Sequence, residues 1–181
     1  MKTISLFLFI AILPIIGFSQ SLFDKYENMD NVSSVIVNRG MIDFISSIGS
    51  DNMDQEAKDF IEVAKGLKSL KVFITEDKAA SIDMTATVKK YLNSSKLEEL
   101  MRVKDEDVNV KFYIREGKDK DHVRELLMFV TGIGKTDVDL NGRKIETVLL
   151  SLTGDIDLNK IGSLTNKMNL PKELNKASKS K

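Results

Sequence analysis

The sequence predicts an α+β fold, a two-layer sandwich in which helices back one side of a sheet. Three observations carry that expectation. Four short segments are rich in β-branched and aromatic residues and alternate in polarity. Five other segments repeat apolar residues at helical spacing. The strand segments present one wholly apolar and one mixed face, as in a sheet covered mainly on one side. From Leu70 onward the order reads β-α-β-β-α-β, the ferredoxin-like arrangement. A βαα extension precedes it and a helix follows.

The elements run as follows. Val32 to Val37 and Leu70 to Thr75 read as strands. Between them, Met41, Phe44, Ile45 and Ile48 form one buried stripe, and Ala57, Phe60, Ile61 and Ala64 a second after a cap at Asp54. Met84, Val88 and Tyr91 mark the next helix. Glu98 to Lys104 pairs as a hairpin with Val108 to Arg115, although Leu97, Leu100 and Met101 also suit a helix. In Val108 to Arg115, Val108, Val110, Phe112 and Ile114 point one way and Asn109, Lys111, Tyr113 and Arg115 the other. Val123, Leu126, Leu127 and Val130 repeat at i, i+3, i+4 and i+7 and read as a helix. Thr147 to Thr153 is the last strand. Leu158, Ile161, Leu164 and Met168 form a final helix behind the N-cap Asp157, with Gly162 inside it. Gly49, Gly66 and Gly132 fall where helices should stop.

Residues 1–19 read as a signal peptide. Lys2 is the charged start, Ile4 to Ile16 the apolar stretch, and Gly17 and Ser19 the small residues of a cleavage site. That stretch is shorter than the roughly 20 residues a bilayer requires. Residues 20–170 fit one domain, and 171–181 read as a disordered basic tail. The expected address is therefore periplasmic or secreted, with no transmembrane span after cleavage.

Composition excludes several chemistries. The chain of 181 residues carries 27 basic and 27 acidic side chains, so it lacks the basic footprint of a nucleic-acid binder. It has no Cys, which removes thiol catalysis, disulfides and Cys-ligated metals. Asp137, Asp139 and Asn141, followed by Gly142, resemble the first half of a calcium loop, but Val148 stands where the bidentate acid belongs. The Asn-Gly pair reads instead as a β-hairpin turn between Val138-Leu140 and Lys144-Leu149, with calcium binding as the alternative. Gly132-Ile-Gly134-Lys135-Thr136 lacks the earlier glycine of a phosphate loop. His122, the only histidine, sits in a charged run and reads as a helix-surface residue. Acidic pairs such as Glu98 and Glu99, or Asp54, Glu56 and Asp59, leave a hydrolase as the alternative, since carboxylate pairing is spatial. No cofactor is expected.

The candidate binding surface lies on the mixed strand faces, where Ile36, Phe73, Tyr113 and Leu149 interrupt polar residues. Aligned on an open sheet face they would form an apolar patch for an envelope protein or a small ligand. The alternative is that Leu22 to Met29, or the C-terminal segment, folds over them.

The run Val32-Ser33-Ser34-Val35-Ile36-Val37 before the Met41 helix, Leu100-Met101-Arg102-Val103-Lys104 before Val110-Lys111-Phe112-Tyr113, and Leu150-Ser151-Leu152-Thr153-Gly154-Asp155-Ile156-Asp157-Leu158 share a pattern. With the signal peptide they resemble a domain-of-unknown-function family of small exported envelope proteins from Bacteroidota-type bacteria. The resemblance implies export and a single domain, and it carries over no activity and no catalytic residue. Some members are lipoproteins; this chain has no Cys for such an anchor.

Overall fold

A computed structural model describes residues 21–47, 55–105, 108–133 and 144–160. Several expectations lie outside those residues: the signal peptide, Ile48 and Gly49, the Asp54 cap, the Asp137–Gly142 loop, Gly162 and the helix beyond residue 160, and the tail.

The chain begins with a short helix α1 (Ser21–Asp24) that runs into a 3-10 turn (Lys25–Asn28). Strand β1 (Ser33–Asn38) leads to α2 (Arg39–Ser47) and α3 (Gln55–Ala64). Then come β2 (Leu67–Thr75), α4 (Lys78–Ser94), β3 (Glu98–Asp105), β4 (Val108–Glu116), β5 (His122–Thr131) and β6 (Thr147–Asp157). The six strands form one sheet in the order β1-β2-β6-β5-β4-β3, and every neighbouring pair is antiparallel.

The helix expected at Val123 to Val130 is strand β5, so the order after Leu70 is β-α-β-β-β-β. The ferredoxin-like second helix is absent among the described residues. The reason is visible in the packing. β5 lies inside the sheet, and its Leu126 and Leu127 are buried in separate clusters on opposite faces. A strand covered on both faces loses its alternation and becomes a continuous apolar run, which periodicity cannot separate from a helix. Gly132 accordingly ends a strand, at φ 86°, rather than a helix. The hairpin of Glu98 to Lys104 with Val108 to Arg115 forms as expected.

α4 carries the chain from β2 to the far edge, and the β3-β4-β5-β6 meander returns it to β2. Asp77 caps α4 by accepting from the Ala80 amide at 2.8 Å. Its buried stripe is Ala80, Met84, Thr87, Val88 and Tyr91, which packs with Phe73, Leu127, Phe129 and Leu149 on one sheet face. Ile42 of α2 and Ala64 of α3 join Leu67, Leu126, Leu152 and Ile156 in a second cluster. Helices thus contribute to both clusters, where a single backing layer was expected. In α2 the residue turned inward is Ile42, while Met41 and Phe44 of the expected stripe are exposed. Gly66 does follow a helix, and its role is close approach. A Cβ there would stand 2.1 Å from the Asp155 carbonyl oxygen, and one on Gly154 (φ 143°) would stand 2.3 Å from the Gly66 carbonyl oxygen.

Candidate functional site

Cross-strand register puts Ile36, Phe73, Tyr113 and Leu149 on one face, as the alternation implies. Phe73 pairs with Leu149, and the next row runs Ile36, Lys71, Ser151, Leu127, Tyr113. That face is not open. Phe73, Leu149 and Tyr113 are buried, and only Ile36, on the edge strand, keeps 40% of its surface. The expected four-residue contact patch is therefore corrected to a covered core with one exposed outlier. α4 and the segment Leu22 to Met29 supply the cover.

Chemistry explains why that segment stays down. Phe23 packs edge-on to Tyr91 with ring centres 4.9 Å apart, and Tyr26 meets Phe73 at 5.7 Å. The Tyr26 hydroxyl donates to Asp83 Oδ2 at 2.6 Å and lies 2.8 Å from the Thr87 hydroxyl. Burial, then the hydrogen bond to Asp83, pushes the Tyr26 phenol well above its ordinary pKa. Hydrogen bonds from Lys25 and Tyr26 hold the Asp83 carboxyl below the usual range. Lys71 donates to Asp24 at 2.6 Å and Glu27 at 2.7 Å. Burial would lower its pKa, but these two acceptors outweigh burial and raise it. Five consecutive side chains, Phe23 to Glu27, are thus tied to the sheet or α4.

A polar row crosses the same face one step further along. Asn38, Ser69, Thr153, Glu125 and Arg115 are successive cross-strand neighbours on β1, β2, β6, β5 and β4. Ser69 and Thr153 share a hydroxyl hydrogen bond at 2.9 Å. Glu125 is 4% exposed; it accepts from the Tyr91 hydroxyl and, at 3.2 Å, from Arg115 Nε. Arg115 Nη2 approaches its carboxylate to 3.1 Å outside hydrogen-bond alignment. A cavity of about 310 Å³ opens here, lined by Lys68, Ser69, Arg115, Arg124, Glu125, Thr153 and Gly154. Its one carboxylate, Glu125, is ion-paired with Arg115. Reading β5 as a helix hid Glu125 from sequence reasoning, since it closes the charged run from Lys118 and looked like one more solvated acid.

The remaining candidates are scattered. His122 opens β5 at a tight turn, not on a helix, with Nδ1 2.7 Å from Asp119 Oδ1. Glu99 pairs with Arg102 along β3. Among the described residues no group of three or more His, Asp or Glu side chains is placed to hold a metal, and no helix is long and apolar enough to cross a membrane. The loop with Asp137, Asp139 and Asn141 lies outside the described residues.

What the surface does concentrate is apolar area around β1. Of the seven large apolar side chains exposed among the described residues, five are Met29, Val35, Ile36, Met41 and Phe44. Among the described residues β1 stands at the end of the sheet, with β2 as its one strand neighbour. Its six residues, Ser-Ser-Val-Ile-Val-Asn, carry no charge and no proline, so nothing in its sequence blocks another strand from pairing there.

A six-stranded antiparallel sheet with helices on its faces and an unguarded edge defines a mixed α/β domain built without a recognisable catalytic centre in the described residues. The chain belongs to the family described as a domain of unknown function, DUF4252, whose model matches residues 26–164. That span runs from the Tyr26 latch through all six strands. A search of curated proteins and a search of solved structures each find no match.

Proposed function

We propose that this chain is an exported, non-enzymatic binding protein of the bacterial envelope, and that it captures a polypeptide segment as an added strand on the free edge of β1. The carrying observation is the coincidence at one edge of an uncharged strand and five of the seven exposed large apolar side chains. Strand addition draws affinity from main-chain hydrogen bonds and specificity from flanking side-chain contacts, and the exposed Met29, Met41 and Phe44 belong to the segments that enter and leave β1. The buried face of the sheet is core in this reading, and Ile36 is the one residue of the original patch that takes part. Export rests on Lys2, the apolar run Ile4 to Ile16, and the small residues Gly17 and Ser19.

A photo-crosslinking amino acid placed at Val35, and separately at Leu100 on β3, tests both halves in native cells. The Val35 probe is expected to give a discrete crosslinked polypeptide and the Leu100 probe none. Amino-terminal sequencing of the recovered chain is expected to begin at Gln20. Equal yields from the two positions would overturn the edge assignment, and an unprocessed Met1 terminus would overturn export.

A further inference from the structure

We infer that the occupant of the β1 edge is a second copy of this chain, paired antiparallel through β1 to give one continuous twelve-stranded sheet. The inference rests on the edge reading above and adds the identity of the partner. Its basis is the charge at the two ends of the strand. Beside Ser33, at the start of β1, Asp30, Glu76 and Asp77 line a cavity of about 380 Å³ together with Asn31, Val32, Ser33 and Ile74. At the other end, Asn38 leads into Arg39, which donates to the carbonyls of Lys65 and Leu67 at 3.0 and 3.2 Å and pairs with Asp43. Lys65 and Lys68 stand exposed beside that contact. One end of β1 is therefore acidic, the other basic, and the middle neutral.

Antiparallel pairing about a two-fold axis is the arrangement that this polarity favours. It sets the acidic end of each copy against the basic end of the other, whereas parallel pairing would set like against like. A two-fold perpendicular to the sheet also matches faces. Residues opposite one another in an antiparallel pair point the same way, so a register centred on Ile36 sets Ile36 against its own copy on the helix-covered face. Val35 then meets Val37 on the opposite face, and Ser34 meets Asn38. No charge is buried in that seam. A six-residue strand pair alone falls short of the roughly 1,200 Å² that a specific interface requires. In this reading the further apolar area comes from the exposed Met29, just before β1, and Met41 and Phe44, in the helix that follows it.

Sedimentation velocity on the full exported chain tests this. The wild-type chain is expected to be a dimer at micromolar concentration, dissociating as salt is raised, because its ends are joined by screened charges. Val35→Lys is expected to be monomeric with an unchanged circular dichroism spectrum. Independently of that variant, Glu76→Lys is expected to weaken the dimer about tenfold, near 1.4 kcal/mol, and adding Lys65→Glu to the same chain is expected to restore it. A monomeric wild-type chain overturns the inference, as does a dimer indifferent to Val35→Lys and to the charge exchange. A monomer whose Val35 crosslinks to a different polypeptide overturns the second copy and leaves the edge reading standing.

Discussion

The two outer strands of the sheet, as the described residues define it, carry opposite kinds of sequence. β3, at one end, carries Glu98, Glu99, Arg102, Lys104 and Asp105 in eight residues, and its pairing with β4 is interrupted by a register shift between Glu99 and Met101. Charge and bulge are the two commonest devices against edge-to-edge association. β1, at the other end, has neither: its pairing with β2 is continuous from Ser33 to Asn38 and its side chains are uncharged. A sheet that guards one edge and leaves the other bare has a direction in which it can grow. The difference lies in the strand sequences and not in the fold, because both edges belong to the same antiparallel sheet.

The contrast between edge and interior gives the largest expected effect. Phe73 on β2 and Ile36 on β1 share a face one strand apart, yet one is fully buried against Tyr26 and the other 40% exposed. Phe73→Ala is expected to cost about 3–5 kcal/mol of unfolding free energy, the transfer of the ring plus the cavity it leaves. Ile36→Ala is expected to cost under about 1 kcal/mol while weakening association. Urea denaturation of both variants below the dimer concentration checks the pair. Similar losses at the two sites would mean that Ile36 is core and that the apolar edge is not free.

Removing the latch that closes the helix-covered face is a smaller perturbation. Tyr26→Phe keeps the ring and deletes the hydroxyl that joins Asp83 and Thr87, for an expected loss of about 1–2 kcal/mol. Part of that latch depends on pH. The Asp83 carboxyl is held below its ordinary pKa by hydrogen bonds from Lys25 and then Tyr26. Its contribution is therefore complete above the ordinary carboxylate value and is lost as pH falls through the lowered one. The stability gap between wild type and Asp83→Asn is expected to be constant near neutrality and to close in acid. Since Asp83 is 43% exposed, solvent screening keeps that gap within about 1 kcal/mol. A gap that widens in acid would show that Asp83 is not the titrating member.

Local patterning made most of the individual strands legible and left the assembly hidden. Val108 to Arg115 alternates in sequence and forms β4 as read, yet its burial does not follow the alternation: the residues of both faces are half-buried, and the one buried side chain, Tyr113, lies on the mixed face. β5 lost the alternation because both of its faces are packed, and with it went the sheet order, the place of Glu125 in the polar row, and the reason for Gly132. The patch residues were assigned to the correct shared face because period two fixes facing. Whether that face was open depended on Phe23 and Tyr26, some tens of residues away, and on hydrogen bonds no periodicity encodes. Helix α2 shows the same limit. Met41 and Phe44 lie at helical spacing, but it is Ile42 that packs inward. The unused apolar stripe beside β1 is the part of the site that sequence reasoning held in hand and assigned to the core.

The least destabilising change probes the guarded edge directly. Glu99→Thr, Arg102→Thr and Lys104→Thr together remove the charges of mid-β3, including both members of the exposed Glu99–Arg102 pair, whose side chains are 34% and 53% accessible. An exposed pair of this kind contributes little, and threonine suits a strand, so the folding free energy is expected to move by under about 1 kcal/mol. Association should change in kind. With β1 engaged in a closed two-fold dimer and β3 now bare, each dimer has two free ends and can pair end to end without closing, which gives open polymers. Light scattering is expected to rise with concentration in the triple variant. It should fall back to small species when Val35→Lys is added, because one of the two growth directions is then blocked. A triple variant of wild-type size would show that the register shift in β3, and not its charge, is what keeps that edge apart.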